Sequence, residues 1–134
     1  MDDIVIDLCN YAMKHNIGFI LTKHLDSSTV AAANTESRTI IVNTNYKDKR
    51  QIPLQFAHEI GHIVNGDHSM RALYFTPSRY GIELKANITA LNLLAPYYLE
   101  DKPDEYVDVD SFMEMFAVPE HLRDAAEQVL YSND

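Results

Sequence analysis

The sequence predicts an α+β fold: an N-terminal helix, a short, mostly antiparallel three-stranded sheet, a central helix, a second long helix and C-terminal helices. Three observations lead there. Apolar residues recur at helical spacing in residues 3–16, 52–65, 78–94 and 119–130. Between the first two of these lie short β-branched runs, the densest being Ile40-Ile41-Val42. The chain has 134 residues and is 46% hydrophobic, enough for one domain spanning 1–134 to bury a real core.

Residues 3–16 read as a helix with Ile4, Leu8, Tyr11 and His15 near one face, stopped by Asn16-Ile17-Gly18. Cys9 sits among Ile4, Val5, Leu8 and Ala12, where a buried, inert thiol is expected. Strands follow at about 18–25, 29–34 and 39–43, with a hairpin turn over 34–38. Ala31, Ala32 and Ala33 either let a substrate backbone come close to that strand or simply pack beneath the central helix. Pro53 suits the first turn of the central helix, and Asn65-Gly66 is a stop. A mixed polar and aromatic connector leads to the second helix, at about 78–94, which ends at Pro96. A short helix near 109–116 and a final one near 119–130 complete the scaffold.

The central helix carries His58-Glu59-Ile60-Gly61-His62, an H-E-x-x-H sequence. Positions four apart share a helix face, so His58 and His62 can point two imidazoles at one ion. Glu59 lies on the neighbouring edge, where it can accept a proton from water and return it to a leaving amine. Random placement of the chain's histidines and glutamates would give this pattern in about one or two sequences in a hundred. Leu54, Ala57, Gly61 and Val64 form an apolar stripe, flanked by Phe56, Ile60 and Ile63, which leaves the histidines and Glu59 toward a cleft.

Catalytic zinc takes three protein ligands. The single cysteine leaves His and carboxylate to supply them. Glu83 is the candidate third ligand, with His68, Asp67 and Glu100 as replacements. Glu83, Ala86, Asn87 and Ala90 share a face, the alanines permitting close approach and Asn87 free to hydrogen-bond a ligand. Zn²⁺ is the expected cofactor from ligand type, although Mn, Fe or Co also accept two histidines and a carboxylate. His68, Tyr74 and Tyr80 are candidate oxyanion donors; His15, His24 and His121 fit no spacing and read as surface or packing residues.

Twenty acidic against eleven basic residues give a formal charge of −9, which argues against direct nucleic-acid binding and is compatible with a basic protein partner. It equally serves solubility. The acidic start Met1-Asp2-Asp3 and the lack of a long apolar run predict a cytoplasmic protein without a membrane span. One cysteine excludes an intramolecular disulfide and suits a reducing compartment.

The pattern of His58, Glu59 and His62, followed by Glu83, Ala86, Asn87, Ala90, Leu93, Leu94 and Pro96, resembles the ImmA/IrrE family of zinc metallopeptidases. The resemblance is strong over about residues 50–96, the metal-binding core, and looser over 112–119. Ile88, Thr89 and Ala95 depart from the family's commoner residues at packing positions only. No helix-turn-helix domain precedes the core, so the chain looks like the stand-alone form of phages and mobile elements. The resemblance implies a small zincin-like fold and an endopeptidase that relieves repression by cleaving a helix-turn-helix repressor. Two rivals stand beside it. One is a non-catalytic anti-repressor that keeps the zinc fold and acts stoichiometrically; the other is a toxin–antitoxin or stress-response component.

Overall fold

The computed structural model describes residues 2–66 and 81–131. The first helix, α1 (Asp3–Lys14), begins at Asp2, whose carboxylate accepts from the Ile4 N–H, and it buries Val5, Leu8 and Ala12. Ile4 and Tyr11 are only half-buried and His15 is exposed, so the inward face is rotated from the expected one. Cys9 is half-buried rather than buried, and that burial raises its thiol pKa, away from nucleophilic character.

Three strands follow: β1 (Gly18–Thr22), β2 (Ala32–Asn34) and β3 (Thr39–Asn43). The sheet order is β1-β3-β2, with β1 parallel to β3 and β2 antiparallel to it. The three strands are those expected, but the sheet is mixed instead of mostly antiparallel. The connection from β1 carries the chain over to the far side of β3's position, so β1 and β2 never pair. Asn43 pins that connection: buried at the end of β3, it donates to the Asp26 and Thr29 carbonyls. The β2–β3 turn forms where expected, with Asn34 Oδ1 accepting from the Glu36 and Ser37 N–H groups. Arg38 closes it at φ 55°. Alternation along β3 sends Ile40 and Val42 into the core and Ile41 outward.

A 3-10 turn at Lys49–Gln51 leads into α2 (Ile52–Val64), with Pro53 in the first turn, where its missing N–H goes unneeded. Every residue from Ile52 to Ile63 is buried. The helix is therefore wrapped on all sides, not on the one stripe that periodicity marked. It ends at Asn65, with Gly66 at φ 75°.

The next element, α3 (Gly81–Leu99), packs along α2 and continues through Pro96 instead of ending there. Proline removes the hydrogen bond to the Asn92 carbonyl, but both residues are exposed, so water can satisfy it. The turn beyond is held from outside the helix. Tyr97 donates to Asp7 of α1, and the Tyr98 hydroxyl accepts from the Asp108 N–H while donating to the Asp108 carbonyl.

The chain closes with α4 (Val109–Phe116) and α5 (Arg123–Tyr131), the latter introduced by a 3-10 turn at Glu120–Leu122. Asp108 caps α4 by accepting from Ser111, and Ala117 ends it at φ 51°. Phe112 and Phe116 join Leu54, Phe56, Ile60, Leu91 and Leu94 in one continuous core. Among the described residues, no helix is long and apolar enough to cross a membrane.

Candidate metal centre

Two helices build the site, and a glycine sets their separation. A Cβ on Gly61 would stand 2.8 Å from the Ala86 carbonyl oxygen and 3.1 Å from the Ala86 Cα. Only a residue without a side chain lets α2 lie this close to α3. Ala86 and Ala90, both fully buried, provide the matching flat face. That contact brings Glu83, one turn before Ala86, across to the two histidines.

His58 Nε2, His62 Nε2 and Glu83 Oε1 form a nearly equilateral triangle. Its sides are 3.2 Å between the imidazoles, 3.2 Å from His58 to Glu83 and 3.4 Å from His62 to Glu83. Nitrogen and oxygen ligands at zinc's usual ~2.0–2.1 Å, arranged tetrahedrally, stand about 3.3–3.4 Å apart. The residues fit such an ion. Both histidines are buried, and the Glu83 side chain is 14% exposed. No hydrogen bond satisfies Glu83 Oε1, the atom facing the two nitrogens. A buried carboxylate oxygen without a donor is costly, and a cation would remove that cost. Among the described residues this is the one group of His, Cys, Asp and Glu side chains arranged to hold a metal.

On its other nitrogen, His58 Nδ1 lies 2.7 Å from Asn87 Oδ1. Because an amide oxygen only accepts, Nδ1 carries the proton and Nε2 presents its lone pair to the triangle. Burial lowers the His58 pKa against the opposing pull of Glu83, which favours the neutral ring a metal requires. For Glu83, burial alone would raise the pKa, but the His58 contact and the charge of His62 outweigh it and lower the carboxyl overall. Glu59 is different. It is buried, its Oε1 has no partner, and burial followed by the charge of Glu83 raises its pKa well above the usual carboxylate range.

A model of the Peptidase_M78 family, described as an IrrE N-terminal-like domain, matches residues 12–122. The chain belongs to that family. The match runs from within α1 to the end of the Glu120–Leu122 turn, so it takes in the sheet, both site helices and α4. No curated protein and no solved structure matches the chain. Membership in a Peptidase_M78 family and a cluster able to hold a metal agree with the metallopeptidase expected from the sequence.

Of the four site residues expected from the sequence, His58, His62 and Glu83 thus lie together, and Glu59 follows His58 on α2. Glu100 does not join them: at 1.5 Å per residue it lies about 25 Å along the helix direction from Glu83. It is exposed there. His15 stacks on Tyr11 at the surface, and His24 and His121 are exposed. Asp67, His68, Tyr74 and Tyr80 lie outside the described residues. Sequence reasoning passed over Gln55 and Gln51. Gln55 is 2% exposed, accepts from the Ala31 N–H at 2.9 Å and donates to Gln51 Oε1 at 3.0 Å. A polar side chain three residues before His58 on an otherwise apolar helix was the signal available.

Proposed function

We propose that this protein is a zinc-dependent endopeptidase in which His58, His62 and Glu83 hold the metal and Glu59 is the general base. The observation carrying this reading is the triangle of two imidazole nitrogens and one carboxylate oxygen, its sides those of a tetrahedral site, with a second buried carboxylate one residue from His58. Bound there, Zn²⁺ would supply Lewis acidity, its positive charge only partly offset by one anionic ligand. Glu59 takes the proton of the attacking water and hands it to the leaving amine. Asn87 holds the His58 ring in the tautomer and orientation the site needs.

The peptide would lie along β2. Among the described residues that strand ends the sheet, so its outward N–H and C=O groups face no neighbouring strand there and suit an extended chain, and its alanines keep the approach open. The partner favoured by charge is a basic one, in keeping with a helix-turn-helix repressor of the phage or mobile element that encodes the peptidase. Residues 1–99 carry nine acidic and nine basic side chains, whereas residues 100–134 carry eleven acidic and two basic. The two cations there are already engaged, Lys102 over the Tyr98 ring and Arg123 with Asp110 and Glu120.

The test combines metal content with cleavage of a repressor encoded beside the gene. About one zinc per chain is expected in the wild type and none in His58→Ala. Glu59→Gln should keep the zinc and lose at least ~100-fold in cleavage rate. A folded protein that refuses added zinc would overturn the reading. Inhibition of the repressor that survives Glu59→Gln at equimolar protein would favour stoichiometric antagonism.

A further inference from the structure

The two glutamines of the α2 entrance form a directional relay. Ala117, at the left-handed end of α4, offers a carbonyl, which can only accept, so Gln51 turns its Nε2 toward it at 2.8 Å. Gln51 Oε1 is thereby left facing Gln55 and takes a hydrogen bond from Gln55 Nε2 at 3.0 Å. The remaining atom, Gln55 Oε1, accepts from the Ala31 N–H at 2.9 Å. Each amide orientation follows from the one before, so neither glutamine can flip without leaving a buried group unsatisfied.

Ala31 immediately precedes β2 and lies outside its pairing with β3, which begins at Ala32. It is 2% exposed. Gln55 therefore does for this residue what a neighbouring strand does for the rest of β2. Gln55 also stands three, four and seven residues before His58, Glu59 and His62, the offsets that share one helix face. A strand anchored at Gln55 is anchored on the stripe that carries the site.

From this geometry we infer that Gln55 is a positioning residue: with Gln51 behind it, it sets the height and register of the edge strand β2 over the metal centre, and so the depth at which an extended peptide backbone can dock. This rests on the peptidase reading above. Gln55 touches no reacting atom. Its effect is on strand-dependent recognition, not on the metal.

Two hydroxamates separate these roles on the zinc-loaded full chain. Acetohydroxamate can chelate zinc but is too short to pair with a strand, whereas acetyl-Ala-Ala-Ala hydroxamate can do both. In Gln55→Met, which keeps the unbranched shape and removes both hydrogen bonds, the peptidyl probe should bind at least tenfold more weakly. Acetohydroxamate affinity and zinc content should stay unchanged. The Ala31 amide should exchange at least tenfold faster with solvent, while the Ile41 amide does not. Gln51→Met, which breaks the relay one step further from the strand, should give the same selective loss to a smaller degree and serves if Gln55→Met does not fold. Equal weakening of both probes, no weakening of either, or an unaltered Ala31 amide overturns the inference. Failure of the wild type to bind either hydroxamate overturns the peptidase reading itself, and the positioning role falls with it. The exchange result still reports whether Gln55 holds the strand.

Discussion

The two nitrogens of His58 face different tasks, and Asn87 separates them. The amide oxygen at 2.7 Å takes the Nδ1 proton, so the lone pair on Nε2 points at His62 and Glu83. A ring with no such partner would be free to rotate or to exchange tautomers, and each wrong state would lower metal affinity. Asn87→Ala is therefore expected to weaken zinc binding by about 10–100-fold, read by competition with a chromophoric chelator. An unchanged affinity would reduce Asn87 to a packing residue. Glu59 makes the complementary point. The burial of its Oε1 without a hydrogen bond is unfavourable for folding, and such cost is tolerated where chemistry uses the group.

At the scale of elements, the approach of α2 to α3 decides whether there is a site at all. Alanine is normally worth about 1 kcal/mol more than glycine within a helix. At Gly61 that gain is overridden, because the new methyl would meet the Ala86 backbone, which cannot swing aside as a flexible side chain would. Gly61→Ala should lower stability by about 1–3 kcal/mol in chemical denaturation and should weaken zinc binding by moving Glu83 away. A raised denaturation midpoint would show that α3 yields freely.

The start of α4 gives a pH-dependent counterpart. The Asp108 carboxyl is held below its usual range, first by the Ser111 hydroxyl and then by the Ser111 N–H. A depressed folded pKa means that the cap stabilises above the unfolded value near ~3.9 and that this contribution is lost as pH falls through the folded value. Asp108→Ala should accordingly melt earlier than wild type at pH 7, with the two melting curves converging at acid pH. A gap that stays constant down to pH 2 would mean that the carboxylate charge contributes nothing.

For the whole molecule, the site is part of the core: both histidines are buried on a helix surrounded by sheet and helices. Any ion bound by the folded protein and not by the unfolded chain adds its binding free energy to stability. With zinc held 100-fold above its dissociation constant, stability should rise by about 2.7 kcal/mol over chelator-treated protein. Thermal melts with chelator and with restored zinc measure this directly; identical melts would mean that no ion binds selectively to the fold. The uneven charge distribution belongs to this scale too, since a basic partner approaching the acidic C-terminal region should associate more slowly as salt rises.

What the sequence determined by itself was local. The spacing of His58, Glu59 and His62, the Asn34 turn, β3 at Thr39–Asn43 and α4 at Val109–Phe116 all follow from periods and turn chemistry contained within a few residues. Glu83 lies 21 residues beyond His62 and shares no local period with it, so the link rested on the need for a third ligand, on the face that Glu83 shares with Ala86, Asn87 and Ala90, and on the family pattern. Tertiary structure alone decided the parallel pairing of β1 with β3, the passage of α3 through Pro96 and the bond from Gln55 to Ala31. Each depends on groups distant in sequence meeting in space: strand order on the course of a connection, the proline helix on tyrosines tied to other elements, and the glutamine relay on three segments converging. A local pattern can mark a face as polar or apolar, but what that face meets is settled only when the chain packs.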